Sequence, residues 1–104
     1  MSVISITFHS VESVQKEWND FVEKDFHQII ENLIDVEKYM LSEVESDMIN
    51  EGKNTNLLLI FDNEEKRTDF MEIELLNISE IIERKFGESV MIFITNLNPT
   101  KMKI

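Results

Sequence analysis

The segment Asn56-Leu57-Leu58-Leu59-Ile60-Phe61 lies between a turn signal, Asn50-Glu51-Gly52-Lys53-Asn54, and a helix-start signal, Asp62-Asn63-Glu64-Glu65. A short apolar run bounded in this way predicts a strand, and a strand sends successive side chains to opposite faces. Leu57, Leu59 and Phe61 then point one way and Leu58 and Ile60 the other, so both faces of the sheet they join need cover. A chain of 104 residues has helices enough for one face. The second cover expected is another copy of the chain.

The rest of the chain supplies the other elements. Val3 to His9 alternates, with Ile4, Ile6 and Phe8 against Ser5, Thr7 and His9, the period-two pattern of a strand with one apolar and one polar face. From Val14 the period changes. Val14, Trp18, Phe21, Val22, Ile29 and Leu33 share one stripe of a helix that packs through Trp18. Asp25 would fall inside that stripe, where an unpaired carboxylate is costly to bury. Asp25-Phe26-His27-Gln28 also fits a capping box, so the pattern predicts a kink, or a helix that stops and restarts at Asp25.

Val36 to Met48 carries Glu37, Glu43, Glu45 and Asp47 on one parity and Met40, Ser42, Val44 and Met48 on the other, which predicts an edge strand. The turn at Gly52 joins it as a hairpin to the strand Thr55 to Phe61. A second helix follows, with Asp62 and Glu65 as a capping box, the stripe Met71, Leu75, Ile78, Ile82, Phe86, the pair Glu80/Arg84, and Gly87 past its end. Val90 to Leu97 is a last strand, apolar on both parities and ended by Asn98-Pro99.

Strand, helix, strand, strand, helix, strand, with right-handed crossovers, gives a ferredoxin-like α+β fold. The expectation is one domain over residues 1–104, a four-stranded antiparallel sheet with the first and third strands central and both helices on one face.

Charge and composition narrow the function. With 21 acidic against 10 basic residues the net charge is −11, which repels a phosphate backbone or an anionic lipid surface, so neither nucleic acid nor membrane is an expected partner. Cysteine is absent, excluding disulfides and thiolate zinc sites. No cofactor and no metal are expected. The Met1 to Phe8 stretch lacks a basic flank and a long apolar core and reads as a strand, not a leader, which gives a cytoplasmic expectation.

Arg84-Lys85-Phe86-Gly87-Glu88-Ser89-Val90-Met91-Ile92-Phe93-Ile94-Thr95-Asn96-Leu97 and Glu17-Trp18 resemble motifs of a family of small bacterial proteins of unknown function within the dimeric α/β barrel superfamily. The resemblance implies a homodimer whose two sheets face each other. The superfamily also contains cofactor-poor oxygenases, haem-degrading enzymes and isomerases. The family pattern commonly has Arg where Ile94 stands and a His-x-Pro where this chain has Phe26-His27-Gln28, so no role passes to His27.

Few residues are candidates for chemistry. Ser5, Thr7 and His9, with Tyr39, are the candidates for the cleft between sheets, where they would hold a small ligand, with His9 the catalytic candidate; in the alternative, Ser5 and Thr7 are satisfied by each other or by water and His9 sits at the exposed strand end. His27 lies about 180° from Trp18 on an ideal helix, in solvent. The acids Glu43, Glu45 and Asp47 spread along a strand and do not converge as a calcium or magnesium site requires; charge on an edge discourages aggregation. Two readings follow: a non-catalytic homodimeric ligand-binding or interaction module, and a small cofactor-poor barrel enzyme of monooxygenase or isomerase type. An acylphosphatase-like monomer is disfavoured by Ser10-Val11-Glu12-Ser13, which offers no basic phosphate cradle.

Overall fold

A computed structural model describes residues 1–45 and 51–103. The strands are β1 (Ser2–Ser10), β2 (Lys38–Glu43), β3 (Lys53–Phe61) and β4 (Val90–Leu97). They form one antiparallel sheet in the order β2-β3-β1-β4, so the first and third strands are central, as the crossover argument requires. The first helical layer is α1 (Gln15–Phe21), a π turn (Val22–Phe26) and α2 (His27–Glu31). The second is α3 (Glu64–Glu72) and α4 (Glu74–Phe86). This is the βαββαβ ferredoxin-like arrangement.

Pairing in register carries alternation from strand to strand. Ile4 faces Leu59 and Ile6 faces Leu57 across β1 and β3, and these four, with Phe8 and Phe61, have no solvent exposure. Trp18, Phe21, Phe26 and Ile30 from the first layer and Phe70, Leu75, Ile78 and Ile82 from the second complete that core. The parity of the opening segment is thereby assigned: Leu57, Leu59 and Phe61 face the helices, while Leu58 and Ile60 are half-buried on the open side.

The first helix is irregular at Asp25, through a π turn and not through a cap. It neither stops nor restarts there, and Asp25 caps nothing: the backbone stays helical through Phe26, and α2 has no side-chain cap. The π turn inserts an extra residue, rotating all that follows by roughly 100°. Asp25 thus turns out to solvent, and Phe26 and Ile30 take the buried stripe. The exposed Asp25 carboxylate lies 3.8 Å from Lys85 Nζ. Asp25→Ala is therefore expected to change stability by less than about 0.5 kcal/mol, within the range of an exposed ion pair. Urea unfolding checks this; a loss near 1 kcal/mol would restore the capping role.

The second helix also starts differently. Asn63, not Asp62, is the cap, its Oδ1 accepting from Lys66 N at 2.9 Å. Asp62 instead meets Lys66 Nζ at 3.3 Å and shares a hydrogen bond with Glu37, which holds Asp62 below and Glu37 above the ordinary carboxylate range. The helix breaks at Ile73 (φ −119°, ψ −69°), and Glu80 pairs with Arg84 as expected. Arg67 of α3, only 6% exposed, donates from Nη1 to the carbonyls of Val3 (3.2 Å) and Leu97 (3.1 Å). It ties the helix layer to the ends of β1 and β4, a role the sequence pattern did not suggest.

The edge strand is shorter than expected. Its ladder ends at Glu43, Glu45 is exposed coil, and Asp47 and Met48 lie outside the described residues.

Candidate functional site

The open face of the sheet is assembled from one parity of each strand. Thr7 faces Asn56 and His9 faces Asn54 across β1 and β3, and Ser5 faces Leu58. On the other side of β1, Ser5, Thr7 and His9 face Thr95, Phe93 and Met91 of β4. Met40 of β2 lies beside Leu58. The three polar residues expected to share this face do share it, all half-buried.

Asn56 Nδ2 donates to Ser5 Oγ at 2.9 Å and to Thr7 Oγ1 at 3.2 Å, which uses both amide hydrogens. Each hydroxyl, having accepted, keeps its own proton for donation. His9 Nδ1 lies 2.6 Å from Asn54 Oδ1. An amide oxygen there requires the proton on Nδ1 and leaves the lone pair on Nε2. Gly52 makes the ring's position possible: its φ is +84°, and a Cβ at that site would collide with the Ser10 carbonyl and come within 3.1 Å of the imidazole.

Around the polar row the face is apolar. Met40 is 61% exposed and Phe93 55%, and Met91 and Leu97 are also exposed on this side. At one end Met1, Val3, Leu58, Ile60, Leu97 and Met102 line a shallow cavity of about 390 Å³. Among the residues in register on this face only Lys38, on the outer strand, bears a full charge. The arrangement suits an uncharged ligand that exchanges hydrogen bonds with two hydroxyls and an imidazole nitrogen.

Other expected residues fall elsewhere. Tyr39 does not belong to the cleft: it is paired with Leu59, on the helix side, and its hydroxyl donates to Glu31, which raises its pKa above the ordinary phenol value. The acids of its strand sit at odd positions, and Tyr39 shares their parity. His27 is exposed, 3.8 Å from Glu31 Oε1. Trp18 is wholly buried and donates from Nε1 to Thr55 Oγ1 at 3.1 Å. Glu43 meets Lys53 Nζ at 3.5 Å, and no cluster of three or more His, Cys, Asp or Glu capable of holding a metal occurs among the described residues. Asn54 and Asn56, the residues that organise the row, were missed. Their signal was their parity, opposite to Thr55, Leu57 and Leu59 at the start of a strand.

Solved structures with the same fold include an ethyl tert-butyl ether d (EthD) family protein from Bacillus halodurans, with TM-score 0.68 and 13% identity over 91% of this chain and 97% of that one. A protein from Deinococcus radiodurans described as an antibiotic biosynthesis monooxygenase has TM-score 0.68 and 11% identity over 100% and 97%. A dimeric ferredoxin-like protein from an uncultured marine organism has TM-score 0.60 and 12% identity over 100% and 99%. At these identities the likeness is one of fold. A search of curated proteins returns no match. A family model does match, over residues 1–100, and the chain belongs to that family, the domain of unknown function DUF4286.

Proposed function

We propose that the chain works as a homodimeric binding module in which two open sheet faces pack together and hold a small uncharged ligand over Ser5, Thr7 and His9. The observation that carries this reading is the face itself. One side of the sheet has two helical layers against it, whereas the other presents Met40, Leu58, Ile60, Met91, Phe93 and Leu97 around a hydrogen-bonded polar row. Burying three or four such side chains per subunit is worth about 10 kcal/mol or more per dimer at about 1.5 to 3 kcal/mol each, enough to offset an association cost of about 4 to 15 kcal/mol when packing is good. The dimeric ferredoxin-like relative in fold is consistent with it. Native mass spectrometry of the purified protein is expected to give twice the 12.3 kDa chain mass plus a retained small molecule, and Asn56→Ala is expected to weaken retention by about tenfold through loss of the row. A bare 12.3 kDa species at micromolar concentration would overturn it.

The His9 to Asn54 contact favours a second reading, a cofactor-poor barrel enzyme of monooxygenase or isomerase type in which Nε2 accepts a proton from the bound molecule. The fold likeness to a protein described as a monooxygenase supports it by analogy only. In that case His9→Ala abolishes turnover with the circular dichroism spectrum intact, and turnover that survives His9→Ala removes the reading.

A further inference from the structure

The two outer strands of the sheet are protected very differently. β2 spans six residues and carries Lys38 and Glu43 at its ends, features that discourage strand pairing. β4 spans eight, with no charge and no proline, and its register against β1 runs unbroken from Val90 to Leu97. Among the described residues no strand pairs with its outer side. A row of outward N–H and C=O groups therefore lies along an extended, uncharged edge.

Beside that edge, on the helix side, is a groove of about 390 Å³ between α4 and β4. Its floor is aliphatic, from Ile82, Val90, Ile92 and Ile94, and Ile94 is 43% exposed. Glu83 and Glu88 flank it near the Val90 end, and no basic residue lines it. We propose that this edge and groove take up an extended peptide segment of a partner protein as a fifth strand. The segment carries aliphatic side chains beside Ile92 and Ile94 and, on the same parity, a basic side chain at the acidic end. Main-chain bonds to β4 supply binding, the alternate side chains in the groove supply selectivity, and the two carboxylates together with the net charge of −11 select a cationic end. The groove is on the helix side, so its occupancy leaves the open face free for the pairing proposed above.

The probe is a fluorescent acetyl-Thr-Val-Thr-Val-Thr-Lys-amide peptide titrated with the wild-type protein, beside the same peptide ending in Glu and two forms N-methylated on one or the other alternate set of amides. The Lys peptide is expected to bind saturably and the Glu peptide at least about fivefold more weakly. One methylated form should lose binding and the other keep it, since only one set of amides faces β4. Ile94→Lys should weaken binding at least about tenfold, while Thr68→Lys, exposed on α3 and outside both the groove and the open face, should not. Should Ile94→Lys not fold, the surface pair Glu83→Gln and Glu88→Gln serves instead, and should erase the difference between Lys and Glu peptides. No saturable binding of the Lys peptide, equal affinity for both charges, or indifference to both methylated forms overturns the proposal.

Discussion

Leu59→Lys is expected to unfold the subunit, and Leu58→Lys to leave it folded and unpaired. Leu59 has no exposure and lies between Ile4 and Tyr39 across the sheet, facing the helices. Removing its contribution costs about 1.5 to 3 kcal/mol, and placing an ammonium there adds several kcal/mol more. Set against a total stability of about 5 to 15 kcal/mol, with small domains toward the lower end, that removes most or all of what holds the subunit together. Leu58 lies between Ser5 and Met40 on the open face, where a lysine stem can lie along the apolar surface with its head in water. In a dimer that head would be trapped against the second sheet. Circular dichroism beside light scattering separates the two outcomes. A monomeric wild type whose mass neither variant alters would mean that the open face pairs with nothing.

The asymmetry between adjacent leucines also shows how far the sequence could be read. Alternation along Val3 to His9 and Leu57 to Phe61 was enough to establish the strands and to group Ser5, Thr7 and His9 on one face, because the side-chain period in a strand is two whatever the tertiary context. Which face met the helices was not legible. That depends on register with β1, where Leu59 meets Ile4 and Leu58 meets Ser5, and register is a long-range property. The same limit explains Tyr39: its polar hydroxyl suggested a ligand, but parity alone decided that it faces Glu31. Asn54 and Asn56 read as turn and strand-start residues until the pairing set them opposite His9 and Thr7. Asp62 and Asn63 are adjacent and both competent to cap, and a one-residue choice of that kind lies below the resolution of local pattern.

Trp18→Ala is expected to cost about 3 to 5 kcal/mol from lost packing, and more because Thr55, 5% exposed, would lose the indole N–H that its hydroxyl accepts. The packing estimate is large because the indole is the hub of an aromatic cluster. Its ring centroid lies 5.6 Å from Phe8 and Phe21, 6.3 Å from Phe26 and 5.4 Å from Phe86, so one truncation loosens β1, both parts of the first helical layer and the end of α4. Trp18→Phe keeps most of these contacts and should cost about 1 to 3 kcal/mol, chiefly for the abandoned Thr55 hydroxyl. Urea midpoints for the two variants and for Thr55→Val, which removes the acceptor, apportion the terms. A shift below about 1 kcal/mol for Trp18→Ala would mean that the cluster is not the hinge of the core.

The π turn at Val22–Phe26 bears on how this chain tolerates changes of length. An insertion in a regular helix turns every later side chain away from its old direction, and the buried stripe is lost from that point on. Here the surplus residue is confined to one widened turn whose middle, Glu23, Lys24 and Asp25, is exposed, and both Trp18 before it and Phe26 at its end remain fully buried. The turn works as an expansion joint. A chain lacking Lys24 would close to ordinary helical pitch with Phe26 and Ile30 on the same face as Trp18, so this helix can differ by one residue between relatives without any change to the core it covers.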